Sequence, residues 1–194
     1  MTARRRLIVG VSGASGSIYG YAALRALRAA GDVEVHLVLS QQARRTIELE
    51  TEFTASDFEA LADVVHADGD LAASISSGSF RTDGMLIAPC SIKTASAIAH
   101  SFNDNLLARA ADVCIKERRT LVLMVRETPL HLGHLRILTQ LAELGAVILP
   151  PMPAMYARPA TIDDIVAHGV GKALDQFGID NTMFRRWTGL ETQS

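Results

Sequence analysis

Residues 116–130, KERRTLVLMVRETPL, place an apolar run between two groups of charged side chains. The run at residues 121–125 is typical of a buried strand, so Arg126 and Glu127 would emerge at its carboxyl end. Open α/β sheets bind their ligands at that end. A cation beside a carboxyl group can bind an anion and move a proton, but the two can equally be solvated edge charges.

A glycine-rich loop, GVSGASGSIYG at residues 10–20, follows the first apolar run. Backbone N–H groups at the start of the next helix are typical of an anion site. Further hydroxyl donors come from Ser12, Ser15 and Ser17. The glycine spacing matches neither a dinucleotide fingerprint nor a P-loop, and a purely structural turn is the alternative. The second strand ends at Ser40 without an acid for a ribose diol, which favours a mononucleotide.

A second polar loop, APCSIKTASAIA at residues 88–99, repeats this design. Pro89 ends an apolar run, and Ser91 and Thr94 begin another helical pattern. Ser91 alone is equally well explained as a helix N-cap. Because both loops follow strands, we expect them to hold two parts of one ligand.

Apolar runs that predict strands alternate with helical patterns along most of the chain. The runs are residues 7–11, 33–39, 85–88, 121–125 and 146–149. This alternation predicts an α/β protein with a central parallel sheet, whereas residues 51–81 give no clear pattern.

Two later helices are predicted from leucine spacing and terminators. The first covers residues 130–144 and ends at Gly145. Its inward-facing side chains would be Leu132, Leu135, Leu138 and Leu141. The second covers residues 162–177, and the tail at about 179–194 either packs on a neighbouring subunit or frays.

Composition limits the class of protein. A chain of 194 residues with 48% hydrophobic content predicts one domain, residues 1–194, with a sizeable core. The net charge of −2 predicts neither a nucleic-acid nor a membrane surface, and the chain is expected in the cytoplasm. Cys90 and Cys114 are expected as free buried thiols. His131 and His134 are a weak metal signal, so no metal site is predicted.

Five segments in order resemble the UbiX-like flavin prenyltransferases over about residues 7–187. They are GASGSIYG, APCSIKTASAIA, DNLLARAADVCIKERRTLVLMVRETPL, LGAVILPPMPAMY and LDQFGI. The resemblance implies a Rossmann-like, flavodoxin-like three-layer fold. It implies transfer of a dimethylallyl group from dimethylallyl phosphate to N5 and C6 of reduced FMN, without a metal. The prenylated FMN would serve a UbiD-type decarboxylase, and the protein would be a homo-oligomer, typically a dodecamer with sites at subunit interfaces.

The resemblance also implies roles for individual residues. The FMN-binding positions are Gly13, Ala14, Ser15, Ser40, Ser91, Ile92, Lys93, Thr94 and Arg126. The prenyl-phosphate positions are Arg109, Lys116, Tyr156 and Lys172, with Trp187 as an aromatic neighbour. The positions tied to the chemistry are Ser15, Glu50, Glu127 and Lys116.

The chain departs from the family pattern at Lys172, which is usually arginine, and at Ser101 and Met155. Lysine keeps the charge but loses the bidentate fork for phosphate.

Breaking an allylic C–O bond requires fixed cations for the phosphate and π faces for the prenyl fragment. The alternatives are a redox or carrier flavoprotein, a non-catalytic decarboxylase subunit, and a flavin-dependent cysteine decarboxylase. The choice between mono- and diphosphate stays open.

Overall fold

The computed structural model describes residues 4–189. Its centre is a sheet of six parallel strands in the order β3-β2-β1-β4-β5-β6. The strands are β1 Arg5–Val11, β2 Val33–Leu39, β3 Val64–Ala67, β4 Gly84–Cys90, β5 Thr120–Val125 and β6 Val147–Ile148. This is the Rossmann order, and without the short edge strand β3 it is the flavodoxin order. The predicted α/β fold with a parallel sheet is confirmed.

Helices cover both faces of the sheet. They are α1 Ser17–Ala30, α2 Gln41–Glu50, α3 Ala55–Glu59, α4 Ile92–Ala99, α5 Leu106–Lys116, α6 Leu132–Glu143 and α7 Ile162–Asp175. Side chains alternate along the strands, so that Val9 packs in the layer with α1, α2, α3 and α7 whereas Ile8 packs with α4, α5 and α6. These two apolar clusters give the three layers that the sequence predicts.

The sheet has its ligand-binding crevice between β1 and β4. The chain passes from β1 to β2 on one side and later returns to place β4 on the other side of β1. At this switch point the loops that leave β1 and β4 diverge to opposite faces of the sheet. The two polar loops of the sequence are these loops.

The prediction for helix α6 is wrong at two of its leucines. The helix spans Leu132–Glu143 and ends before Gly145, whose φ of 94° supplies the expected terminator. Leu141 is fully buried, but Leu132 is 60% exposed and Leu135 is 47% exposed. The helix lies beside the two-residue edge strand β6, so part of its apolar stripe has no partner within the described chain.

The chain after α7 folds back on that helix. Helix α7 ends at Asp175, two residues earlier than predicted, and Ile179 is buried. The ring of Phe184 packs beside Gly171, and Arg186 forms an ion pair with Asp175. Residues 179–189 of the predicted tail therefore contact their own chain, and residues 190–194 lie outside the described part. A contact with a neighbouring subunit stays a prediction.

Several smaller predictions concern cysteine, histidine and membrane segments. Cys90 and Cys114 are buried free thiols, and burial raises the pKa of each to about 12. His36 lies buried in β2, with its ring nitrogens 3.0 Å from His66 Nε2 and 2.9 Å from Glu34 Oε1, so it is a hydrogen-bonded residue of the sheet. Within residues 4–189, no helix has the length and apolar character that crossing a membrane requires.

At Gly20, helix α1 approaches the sheet closely. A Cβ built there would lie 2.5 Å from the Ala88 carbonyl oxygen and 3.0 Å from Val11 Cγ2. Because backbone cannot move aside cheaply, we expect Gly20→Ala to lower the free energy of unfolding by about 1–3 kcal/mol despite the better helix propensity of alanine. Thermal melting of Gly20→Ala beside Gly69→Ala, where nothing lies within 4 Å, tests this. Equal melting temperatures would contradict it.

Candidate functional site

A cleft of about 520 Å³ opens at the carboxyl ends of the central strands. Its lining residues are Gly13, Ala14, Ser15, Ser40, Gln41, Gln42, Asp68, Ser91, Ile92, Lys93, Thr94, Asn105, Leu107, Arg126 and Glu127. All nine FMN-binding positions named from the sequence are among them. The structure therefore brings together residues from segments that are far apart in the sequence.

Helix N-termini supply the donors of this cleft. Ser40 is the N-cap of α2, and its hydroxyl accepts a hydrogen bond from Ala43 N at 3.1 Å. The Ser91 hydroxyl accepts from Thr94 N at 3.2 Å and begins α4. The positive ends of both helices and the Lys93 side chain therefore face the cleft, which suits an anionic ligand group.

Ser12 fixes the two polar loops against each other. Its hydroxyl donates to the Pro89 carbonyl at 2.9 Å and accepts from Ser91 N at 2.7 Å, and the residue is only 1% exposed. Both hydrogen-bonding capacities are used within the chain, so the prediction that this hydroxyl is a ligand donor is wrong. Ser12 instead fixes the position of the loop after β1 relative to the loop after β4.

Glu50, from the end of α2, reaches the N-terminus of α1. Its Oε2 accepts from Gly16 N at 2.8 Å, from Ser17 N at 3.3 Å and from Ser17 Oγ at 3.1 Å. Burial raises the pKa of Glu50, but hydrogen bonds from Ser15, Gly16 and Ser17 together lower it below its ordinary value. Glu50 is therefore a carboxylate at neutral pH, which can accept a proton. The Ser17 hydroxyl is engaged by Glu50 and is not a free ligand donor, which corrects a second sequence prediction.

Arg126 and Glu127 both line the cleft beyond β5. Arg126 is exposed, and its backbone N–H donates to the Cys90 carbonyl at 3.1 Å. Glu127 is half-buried and accepts from Thr128 N at 3.0 Å. Within residues 4–189, Glu127 takes part in no ion pair. The alternative of a surface ion pair at Glu127 is therefore not observed.

Asp68 is a lining residue that the sequence analysis missed. It follows β3, and its Oδ1 accepts from Leu107 N at 3.1 Å at the start of α5. Burial raises the pKa of this carboxyl above its ordinary value, with Asp104 adding to the rise, whereas the Leu107 N–H and Lys93 oppose it. Since β3 itself was not predicted, no sequence signal placed Asp68 at the ligand edge.

Arg109 and Lys116 do not reach the cleft of their own chain. Helix α5 begins at the cleft and ends at Lys116, about 15 Å away at ~1.5 Å per residue. Arg109 binds the Ser76 carbonyl at 3.1 Å and Asp112 at 3.0 Å, and Lys116 pairs with Glu117. Contact of either residue with the ligand would require a neighbouring subunit.

Tyr156 and Trp187 meet in a second, smaller cleft of about 230 Å³. Their ring centroids lie 5.7 Å apart at an interplanar angle of 76°. Lys172 lies on α7 outside the larger cleft, with its Nζ 3.8 Å from Asp175 Oδ2. The structure therefore separates these predicted prenyl-phosphate residues from the FMN-binding positions of the same chain, and their roles stay predictions.

The Glu50 contacts predict a pH-dependent contribution to stability. Because the pKa of Glu50 is lower in the folded chain than in the unfolded chain, its contribution is fully present above the unfolded pKa of about 4.3. That contribution is lost as the pH falls through the folded pKa. We expect Glu50→Gln to melt earlier than the wild type at neutral pH and to converge with it on acidification. A melting difference that is the same at neutral and acidic pH would contradict this.

Comparisons with known proteins agree with the geometry. The Flavoprotein family model matches residues 1–174. Flavin prenyltransferase UbiX of Escherichia coli (strain K12) is 61% identical over 187 residues, covering 95% of this chain and 99% of the relative. Flavin prenyltransferase UbiX of Thauera aromatica is 62% identical over 186 residues, covering 96% and 95%.

Two solved structures are similar throughout. The crystal structure of AnUbiX in complex with FMN and dimethylallyl pyrophosphate has a TM-score of 0.95 at 49% identity, covering 97% of this chain and 100% of that one. A dodecameric FMN-dependent UbiX-like decarboxylase from Escherichia coli O157:H7 has a TM-score of 0.93 at 53% identity, covering 95% and 100%. The FMN-dependent cysteine decarboxylase SpaF, at 20% identity and a TM-score of 0.62, shares only the fold.

Proposed function

Because the chain belongs to the UbiX-like flavin prenyltransferases of the Flavoprotein family, we propose that it is a flavin prenyltransferase. It joins a dimethylallyl group from dimethylallyl phosphate to N5 and C6 of reduced FMN. The product, prenylated FMN, serves a UbiD-type decarboxylase. The observation that carries this proposal is the single cleft that gathers all nine FMN-binding positions together with Glu127.

The cleft suits FMN in size and in donors. Its volume of about 520 Å³ is within the usual range for a small-molecule site. The N-termini of α2 and α4 and the Lys93 side chain offer hydrogen-bond donors and positive charge to a phosphate. Gly13 approaches α2 so closely that a Cβ would lie 2.4 Å from Gln42 Cβ, so a side chain at Gly13 would disturb this wall.

The chemistry is divided between charge stabilisation by Arg126 and proton transfer by Glu127, which line the cleft, and by Glu50, which lies beside it at the N-terminus of α1. Reduced FMN supplies the nucleophilic positions and a π face for the prenyl fragment. Arg126 stabilises the negative charge that develops on the departing phosphate, because a fixed cation needs no rearrangement at that moment. Glu127 is suited to pass the proton that N5 loses to the departing phosphate. Glu50, as a carboxylate, is suited to accept the proton that leaves C6, which balances the proton that the prenyl double bond takes up when the second bond forms. Side-chain cations serve the phosphate, so this scheme requires no metal ion.

A homo-oligomer, expected to be a dodecamer, would complete the site. Lys116, Tyr156 and Lys172 lie outside the larger cleft of their own chain, so neighbouring subunits would have to supply them. The exposed Leu132 and Leu135 of α6 offer apolar surface for such contacts. We expect light scattering to give a mass many times 20.9 kDa, and a Leu132→Gln, Leu135→Gln variant to give a smaller one. A monomer that still transfers prenyl groups would contradict the shared site.

The remaining assignments follow from the same proposal. We regard residues 1–194 as one flavoprotein domain, since the described tail packs on α7. A cytoplasmic location is supported by Cys90 and Cys114, which are free thiols as is usual in a reducing compartment. Neither nucleic acid nor a membrane is proposed as a partner.

A coupled assay tests the proposed function. The protein is incubated anaerobically with reduced FMN and dimethylallyl phosphate, and the filtrate is added to a UbiD-type decarboxylase that lacks its cofactor. We expect decarboxylation to appear only when protein, flavin and prenyl phosphate were all present. A filtrate that never activates the decarboxylase, while authentic prenylated FMN does, would contradict the proposal.

A further inference from the structure

His168 lies close to two of the four residues that stand at the prenyl-phosphate positions, Tyr156 and Lys172. Its Nε2 is 3.2 Å from the Tyr156 hydroxyl, and the two rings meet edge to face with centroids 6.0 Å apart. Lys172 follows it by four residues on α7 and therefore lies on the same face of the helix. The three side chains form a row across α7 and the turn at Met155–Ala157.

We propose that His168 is a positioning residue for the prenyl phosphate, because its Nε2–H donates to the Tyr156 oxygen and so directs the Tyr156 proton to the phosphate. This inference rests on the proposed function. A tyrosine hydroxyl carries a single proton, and an ionised phosphate oxygen can only accept a hydrogen bond. If Tyr156 donated to His168, it would have no proton left for the phosphate. The direction of the 3.2 Å bond therefore decides whether Tyr156 can bind the substrate.

The surroundings of His168 fit this role. Burial lowers the pKa of His168 below its ordinary value and the charge of Lys172 adds to the effect, so the ring is neutral at neutral pH. A neutral ring carries one N–H, on either Nδ1 or Nε2, and the proposed role requires the Nε2–H tautomer, which the 3.2 Å contact with Tyr156 allows. The Phe184 ring packs on His168 at a centroid distance of 4.7 Å and holds its plane. The other charged groups lining the adjacent cleft are Arg158, Asp164 and Arg185.

The need for a directed donor follows from Lys172. An arginine would offer a rigid fork of several N–H donors, whereas a lysine acts as a point charge with little directional preference. Lys172 is also available to turn, since its partner Asp175 lies 3.8 Å away and is held more closely by Arg186 at 2.7 and 3.0 Å. The oriented Tyr156 hydroxyl thus supplies the directionality that Lys172 lacks.

A set of variants in the whole protein tests the inference with dimethylallyl phosphate as the probe. We expect His168→Phe to raise KM for dimethylallyl phosphate on the order of 10-fold, the usual scale for one hydrogen bond to a charged group, with FMN affinity unchanged. His168→Gln should restore most of the loss, because its amide N–H can stand in for Nε2–H. In a Tyr156→Phe background, His168→Phe should have no further effect on KM.

Three results would overturn the inference: an unchanged KM in His168→Phe, a failure of glutamine to rescue, or full additivity of the His168 and Tyr156 effects. The melting temperature of each variant shows whether loss of packing alone explains a change. Wild-type protein is assayed in parallel for prenylated flavin. If the wild type makes no prenylated flavin, the proposed function fails. If the wild type makes it and the His168 variants leave KM for dimethylallyl phosphate unchanged, only this inference fails.

Discussion

Glu127→Gln is expected to keep FMN binding and to slow prenyl transfer by on the order of 10² or more. Glutamine preserves the length and hydrogen-bonding reach of the side chain but removes its titratable proton. Glu127 lines the cleft beside Arg126 and forms no ion pair within the described part of the chain, so its carboxyl group is accessible for proton transfer. Single-turnover formation of prenylated flavin measures the effect directly.

The exposed Glu143 at the end of α6 provides a matched control. Glu143→Gln makes the same chemical change outside the larger cleft and should leave the rate of transfer unaltered. A near-normal rate in folded Glu127→Gln protein would remove Glu127 from the mechanism and leave Glu50 as the remaining candidate. A lowered melting temperature with a normal rate would assign Glu127 a structural role.

Replacing Arg126 is expected to slow prenyl transfer as much as Glu127→Gln does, or more. Arg126→Met should lower the rate of prenyl transfer by about 10²–10³, the usual cost of removing one preorganised group that stabilises developing charge. The rate of Arg126→Lys should lie between those of the wild type and Arg126→Met, because lysine keeps the charge but loses the bidentate fork. The rate is measured at saturating reduced FMN, so that a change in flavin affinity does not contribute.

Flavin titration separates the two roles that Arg126 can have. If Arg126 only binds FMN, Arg126→Met should weaken flavin binding while the rate at saturation stays normal. If it stabilises the leaving phosphate, the rate at saturation falls even where FMN still binds. A normal rate at saturation would contradict the proposed charge stabilisation.

The sequence predicted the central sheet well, because its four longest strands, β1, β2, β4 and β5, are mostly buried and therefore appear as continuous apolar runs. The two-residue edge strand β6 is half-buried and lies within the predicted run at residues 146–149. The exception is β3, a short edge strand in which Val64 is 36% exposed and Val65 is 43% exposed. Such a strand leaves little hydrophobic pattern. The missed strand also concealed Asp68, which reaches the cleft only because β3 pairs with β2.

The site was predictable to the extent that it depends on one chain. The residues of the β1, β2, β4 and β5 loops meet because parallel strands bring their carboxyl ends to one edge. Local spacing could not reveal that the Ser12 hydroxyl donates to the Pro89 carbonyl and the Ser17 hydroxyl to Glu50, since these partners are far away in the sequence. Leucine spacing likewise could not show that Leu132 and Leu135 face away from the sheet.

The most direct test of the central claim is mass spectrometry of the flavin released after anaerobic incubation with reduced FMN and dimethylallyl phosphate. A parallel sample with the diphosphate shows which leaving group is used. The proposed function predicts a flavin heavier by one C5H8 unit, formed only with the protein present. Release of unmodified FMN alone from both samples, by protein shown to bind FMN, would contradict prenyl transfer and favour a redox or carrier role.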